Sequence, residues 1–179
     1  MASQGADIID VGGESTRPGS AGVDEREELR RVVPVIERLA RQINIPISVD
    51  TRKPGVARAA VKAGASIIND VSGLAGGAEL ARIAAKEKAA IILMHMRGAP
   101  ADMQRRPVYS DVISEIGSFL AGAARLAERS GVSRGRIVID PGIGFGKTVS
   151  HNLSIINRLG ELTALGYPVC VGVSRKSFI

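Results

Sequence analysis

The 179-residue chain has no tryptophan, only three phenylalanines, two tyrosines and two histidines, and a single cysteine, Cys170. One cysteine excludes an internal disulfide framework and fits a reducing, cytoplasmic setting. His95 and His151 have no further histidine, cysteine or carboxylate at metal-ligand spacing, which speaks against a zinc site. So few aromatics, and no tight lysine/arginine block, make nucleic-acid binding a weak reading despite a net charge of +6 and a pI near 10.0. No apolar run reaches the ~20 residues that span a bilayer, and no charged-then-apolar leader opens the chain. The basic balance suits a small anionic substrate instead. Asn152-Leu153-Ser154 matches a glycosylation triplet, which reads as chance without a secretory signal.

What is present is a repeated unit. Six short apolar runs, Ala6 to Gly12, Ile45 to Asp50, Ala65 to Val71, Ala89 to Met96, Arg136 to Gly142 and Pro168 to Ser174, are rich in Ile and Val and bounded by Gly, Pro or Ser. Strands buried on both faces read this way. Between them lie amphipathic helical patterns. Asp24 to Gln42 opens on a capping-box pair, Asp24 with Glu27, and carries Pro34, which predicts a kink or a later start. Pro54 opens a second helix that Gly64 ends. Others are predicted from Ala78 to Lys88, from Tyr109 to Arg129, and from a Ser150 cap to Gly166. Alternating strands and helices predict a parallel α/β sheet. It is either doubly wound or a (β/α)₈ barrel, here incomplete with about six βα units, strands 2 to 7. The chain reads as a single domain, 1–179.

Polar residues gather where the runs finish: Asp10, Asp50, Asn69, His95, Asp140 and Ser174. Ligands bind at that end in barrels and open sheets alike. Three segments stand out. Asp10 to Ser20 is a donor-rich loop in which Arg17 can meet an anion through two hydrogen bonds. Asp140 to Thr148 fails two nucleotide motifs: position 141 is Pro where a P-loop needs Gly, and position 147 is Lys where a dinucleotide fingerprint needs Gly. It leaves an Asp, a glycine-rich turn and Phe145, which can lie against a planar ligand. Ser174 to Ile179 places Lys176 just after a strand. Asp50, Asn69 and Asp140 together suit the amino-pyrimidinone edge of a heterocycle, with Met94 and Met96 as adaptable apolar walls. Cys170, inside an apolar run, is expected to be buried and inert.

These segments, taken as Asp10 to Gly19, Ser48 to Thr51, Ile67 to Gly73, Leu93 to Gly98, Asp140 to Thr148 and Val171 to Ile179, resemble the dihydropteroate synthases in order and spacing. The resemblance implies a (β/α)₈ barrel, truncated here at both ends. It also implies condensation of 6-hydroxymethyl-7,8-dihydropterin diphosphate with 4-aminobenzoate, in folate biosynthesis, with loss of pyrophosphate. Asp50, Asn69, Asp140 and Lys176 would bind the pterin, with Met94 and Gly144 also among the substrate-binding residues. Thr16 and Arg17 would order the aminobenzoate and diphosphate, and Phe145, Lys176 and Ser177 would form the wall on which the aminobenzoate rests, where sulfonamides compete. Arg17 and Lys176 would be the catalytic cations. Mg²⁺ is the implied cofactor, its ligand lying in an N-terminal loop that this chain lacks. The implied partners are the two substrates and, in the full-length protein, a second subunit of a homodimer. Truncation predicts a poorly stable isolated chain without robust turnover. A pterin-binding domain of a methyltetrahydrofolate–corrinoid methyltransferase, or a non-catalytic basic barrel fragment, are the other readings.

Overall fold

A computed structural model describes residues 1–15, 22–98, 107–174 and 176. Five strands, β1 (Ile9–Gly12), β2 (Ile47–Asp50), β3 (Ile67–Asp70), β4 (Ala90–Met94) and β5 (Ile137–Asp140), form one parallel sheet. Their order is β1-β2-β3-β4-β5, each strand beside its predecessor. A doubly wound sheet reverses its strand order midway. A strictly sequential order puts every crossover on one side, which is the wall of an incomplete (β/α)₈ barrel.

The helices α1 (Glu25–Gln42), α2 (Pro54–Ala63), α3 (Glu79–Glu87), α4 (Val112–Arg129), α5 (Val149–Asn157) and α6 (Leu159–Thr163) cover that side. Val49, Ile68, Ile91, Leu93, Ile137 and Ile139 point toward them and are fully buried. On the opposite face, Ile67, Ile92 and Val138 are only half-buried, because the sheet does not curl shut over them. Among the described residues, no helix is long and apolar enough to cross a membrane.

Several local expectations change. The first helix does not start late; it begins at Glu25 and runs through Pro34. Asp24 accepts from the Glu27 amide at 2.7 Å, but the Glu27 carboxylate turns to Arg30 and Arg31, so only half of the capping box forms. The last helical stretch is capped by Thr148 rather than Ser150 and breaks at Arg158 into α5 and α6. Thr148 and His151 satisfy each other's backbone amides there, at 3.2 Å each.

The sixth apolar run makes no ladder. It touches β5 through one bridge, Ile139 with Val169, held by two backbone hydrogen bonds of 2.9 and 2.8 Å. Cys170, next along, is exposed rather than buried. It alternates away from the helices onto the inner face, which nothing described covers. Burial of part of its surface, with Asp140 and Asp10 nearby, still pushes its thiol pKa up, so it is a poor nucleophile.

Candidate functional site

Strand register decides which polar side chains meet. Gly12 pairs with Asp50, Asp50 with Asn69, Asn69 with Ile92, and Met94 with Asp140. Register partners in a parallel sheet share a face. Asp50, Asn69, Met94 and Asp140 therefore all lie on the inner face, at or one residue before the C-terminal ends of their strands, with Asp10 on the same face two residues before β1 ends. The sheet brings together four of the expected binding residues from four strands.

Asn69 is oriented by a neighbour: its Nδ2 donates to Asp10 Oδ2 at 3.2 Å. No side-chain hydrogen bond meets Asp50 among the described residues. Burial, then the charges of Asp10, Glu28 and Asp70, raise its pKa from 3.8 to about 7, against the pull of Arg52. Asp140 is raised too, chiefly by burial, with the Gly142 amide, Lys147 and Lys176 pulling back. The Gly142 amide donates to Asp140 Oδ1 at 2.7 Å, which aims the carboxyl into the mouth.

Lys176 is half-buried, and its Nζ lies 4.3 Å from the centre of the Phe145 ring. A cation at that distance over a ring face is attracted by the ring quadrupole. Burial lowers the Lys176 pKa, and Asp140 opposes the shift. Gly144 lies against the same lysine, since a Cβ there would stand 3.2 Å from Lys176 Cδ. Asn152, of the glycosylation-like triplet, is buried. Its Oδ1 accepts from the Gly144 amide at 2.9 Å, so it holds this turn. Thr16, Arg17 and Ser177 lie outside the described residues.

Two networks have no counterpart in the sequence reading. One ties down the segment leaving β1. Glu28, 1% exposed, accepts from Thr51 Oγ1 at 2.6 Å and pairs with Lys53, which also pairs with Glu14. Arg52 meets Glu14 at 3.0 Å, and Arg31 donates to the Gly13 carbonyl at 3.0 Å. Lys53 and Arg52 hold the Glu14 pKa low although burial works to raise it. The other network centres on Lys147 and His95. His95 stands out in the sequence as a strand-end residue and Lys147 only as the residue that breaks a nucleotide motif; nothing in their spacing joins them.

Among the described residues, no three His, Cys, Asp or Glu side chains gather as a metal site. The described donors therefore include no cluster that would hold a cation without oxygens from a bound substrate. What the mouth offers is carboxylate and amide acceptors facing a stacked cation and ring. That set suits a flat heterocycle bearing N–H donors, joined to an anion.

Comparison with known proteins agrees with this geometry. A family model described as pterin binding enzyme matches residues 1–179. The dihydropteroate synthase of Synechocystis sp. is 48% identical over 179 residues, which is 100% of this chain and 62% of that protein. The Yersinia pestis dihydropteroate synthase, solved as a sulfonamide drug complex, matches with a TM-score of 0.95 at 43% identity, covering 99% of this chain and 64% of the other. The Xanthomonas albilineans enzyme, solved with 4-aminobenzoic acid, matches with a TM-score of 0.92 at 47% identity, over 99% and 62% of the two chains. The chain thus spans just under two thirds of the length of these relatives. With the match running from its first residue to its last, the chain belongs to the pterin binding enzyme family.

Proposed function

We propose that the protein carrying this chain is a dihydropteroate synthase, working in the cytoplasm. It joins 6-hydroxymethyl-7,8-dihydropterin diphosphate to 4-aminobenzoate and releases pyrophosphate. The observation that carries the reading is the single inner face shared by Asp50, Asn69, Met94 and Asp140, beside the Lys176–Phe145 pair.

The chemistry follows from those groups. Asp50 and Asp140 accept from the ring N–H and exocyclic amino group of the pterin, with Asn69 between donor and acceptor roles. The bond from the pterin methylene carbon to the diphosphate oxygen breaks, and its electron pair leaves with pyrophosphate. Positive charge develops on the pterin-methyl group, which the carboxylates favour. Lys176, with Arg17 from the segment after β1, favours the departing anion. The aminobenzoate nitrogen forms the new bond to carbon and then gives up its proton to water. No enzyme nucleophile takes part, in keeping with an electrostatic and positioning role for the side chains. Mg²⁺ belongs to the family resemblance, and no step here runs through it.

The assay is pyrophosphate release from the two substrates by the full-length protein. Turnover is expected, and Lys176→Met should lower kcat/KM by about 100-fold or more, the size of losing a charged contact in a dry site. Absence of turnover, together with binding of methyltetrahydrofolate but not of 4-aminobenzoate, would overturn the reading in favour of the corrinoid methyltransferase domain.

The homodimer belongs to the same proposal. Val149, Leu153 and Ile156 are exposed on α5 at helical i, i+4, i+7 spacing, an apolar stripe that suits a second copy. Val149→Glu together with Leu153→Glu should shift sedimentation from dimer to monomer. A full-length protein that sediments as a monomer at every concentration would contradict the dimer.

A further inference from the structure

Lys147 is 3% exposed, and the chemistry above does not use it. It sits in the turn after β5, yet its Nζ donates to His95 Nδ1 at 3.0 Å and to the His95 carbonyl at 3.3 Å, both in the loop after β4. A third bond goes to the Phe145 carbonyl at 2.9 Å. An ammonium has three N–H donors, and these three acceptors use all of them. A neutral amine would turn its lone pair toward one of them. Hydrogen bonding thus favours the charged form, while burial works against it and brings the Lys147 pKa from 10.5 down to about 7.

Each neighbouring element contributes a group. Asp140 at the end of β5 supports the lysine charge, and Lys176 from the C-terminal segment opposes it. From the loop after β4, His95 is held near pKa 3 by burial, then by Lys147 and Arg97, so its ring stays neutral with Nδ1 as acceptor. Ahead of α4, Tyr109 donates to the Gly146 carbonyl at 2.9 Å and carries Arg97 over its ring at 4.5 Å.

We propose that Lys147 is a positioning residue of the pterin site: its buried ammonium pins the turn after β5 to the loop after β4 and keeps Asp140 a carboxylate. The part of this concerning the pterin rests on the function proposed above; the part concerning Asp140 does not. Lys176 also faces Asp140, but it is half open to solvent, which screens its charge. Lys147 is the cation that water does not screen.

The test is the titration of the Asp140 carboxyl carbon by NMR in the ligand-free full-length protein, with the resonance assigned from Asp140→Asn. In Lys147→Met the Asp140 midpoint should rise by about one pH unit, roughly a tenfold change in ionisation. Lys147→Arg should bring it back toward the parent value. Affinity for 6-hydroxymethyl-7,8-dihydropterin should fall in Lys147→Met across the pH range where Asp140 titrates, by at most the roughly tenfold that one pH unit allows, and converge on the parent at about pH 9. A purely structural lysine would cost the same at every pH. An unchanged Asp140 midpoint in a folded Lys147→Met protein overturns the proposal. If that variant does not fold, the unaltered protein decides. Its Asp140 resonance should show a second, smaller step near pH 7 as Lys147 loses its proton, and a flat trace there overturns the proposal equally. Should the parent bind no pterin at all, the proposed function falls while the Asp140 titration still decides the role of Lys147.

Discussion

Asp50→Asn is expected to make the ligand-free protein more stable at pH 8 and, at the same time, to remove its affinity for pterin. Asp50 has a folded-state pKa of about 7 against an ordinary 3.8. A carboxyl raised in this way contributes stability that is fully present below about pH 4. That stability falls as the pH climbs and is gone above about pH 7. At pH 8 the folded protein therefore bears a buried, unfavourable charge that asparagine lacks. The displacement converts to at most about 4 kcal/mol at 1.36 kcal/mol per pH unit; relaxation of Asp10 and Arg52 leaves an expected gain of about 1–3 kcal/mol. At pH 4 the two proteins should be equal within about 0.5 kcal/mol. Binding moves the other way. Asparagine turns an N–H₂ toward ring donors that need acceptors, so affinity should drop at least about 100-fold. For the parent, affinity should rise as the pH passes upward through 7. Urea unfolding at both pH values and calorimetry with 6-hydroxymethyl-7,8-dihydropterin measure these effects. A variant less stable than the parent at pH 8 would show that Asp50 is a structural group instead.

Gly142→Ala should be among the most damaging single-methyl changes in the chain. Gly142 has φ +66°, a left-handed backbone that costs an ordinary residue about 1–2 kcal/mol. Worse, a Cβ there would stand 1.9 Å from the His95 carbonyl oxygen. That oxygen belongs to backbone, and the His95 amide is itself bonded to the Asp140 carbonyl at 2.9 Å, so neither partner can swing aside. The turn must move, breaking the 2.7 Å bond that aims Asp140. A loss of about 3–5 kcal/mol is expected. Gly122→Ala is the control. Gly122 lies within α4 with nothing within 4 Å of a new Cβ, so alanine should gain about 0.5–1 kcal/mol from helix propensity. Thermal melts of the three proteins would show the contrast. Equal melting of Gly142→Ala and parent would mean that the turn after β5 is far looser than its packing implies.

Much of this was legible in the chain. Five of the six apolar runs are strands, and of the polar residues expected at their ends the sheet brings Asp10, Asp50, Asn69 and Asp140 to one face, while His95 is buried against Lys147. Those features are local, set by alternation every second residue, by turn residues and by caps, which any stretch carries with it. The resemblance on the motif residues pointed to the family that the whole-chain match shows.

Other features depend on neighbours that periodicity does not see. The run from Pro168 reads as a strand, yet a strand is a property of a pair, and only Val169 finds a partner in β5. Cys170 reads as buried because its run is apolar; it is exposed because alternation turns it to the face the sheet leaves open. The raised pKa of Asp50 depends first on burial and then on three other carboxylates, brought from β1, α1 and β3. Lys147 meets His95 from 52 positions away.

The sequence by itself determined which segments would be strands and helices and which polar residues would sit at the strand ends. Only the tertiary structure decided which of them share a face, which charges are dry and which partner each side chain keeps. Alternation and capping act within a few residues, whereas register, desolvation and hydrogen-bond partners arise only when distant segments pack.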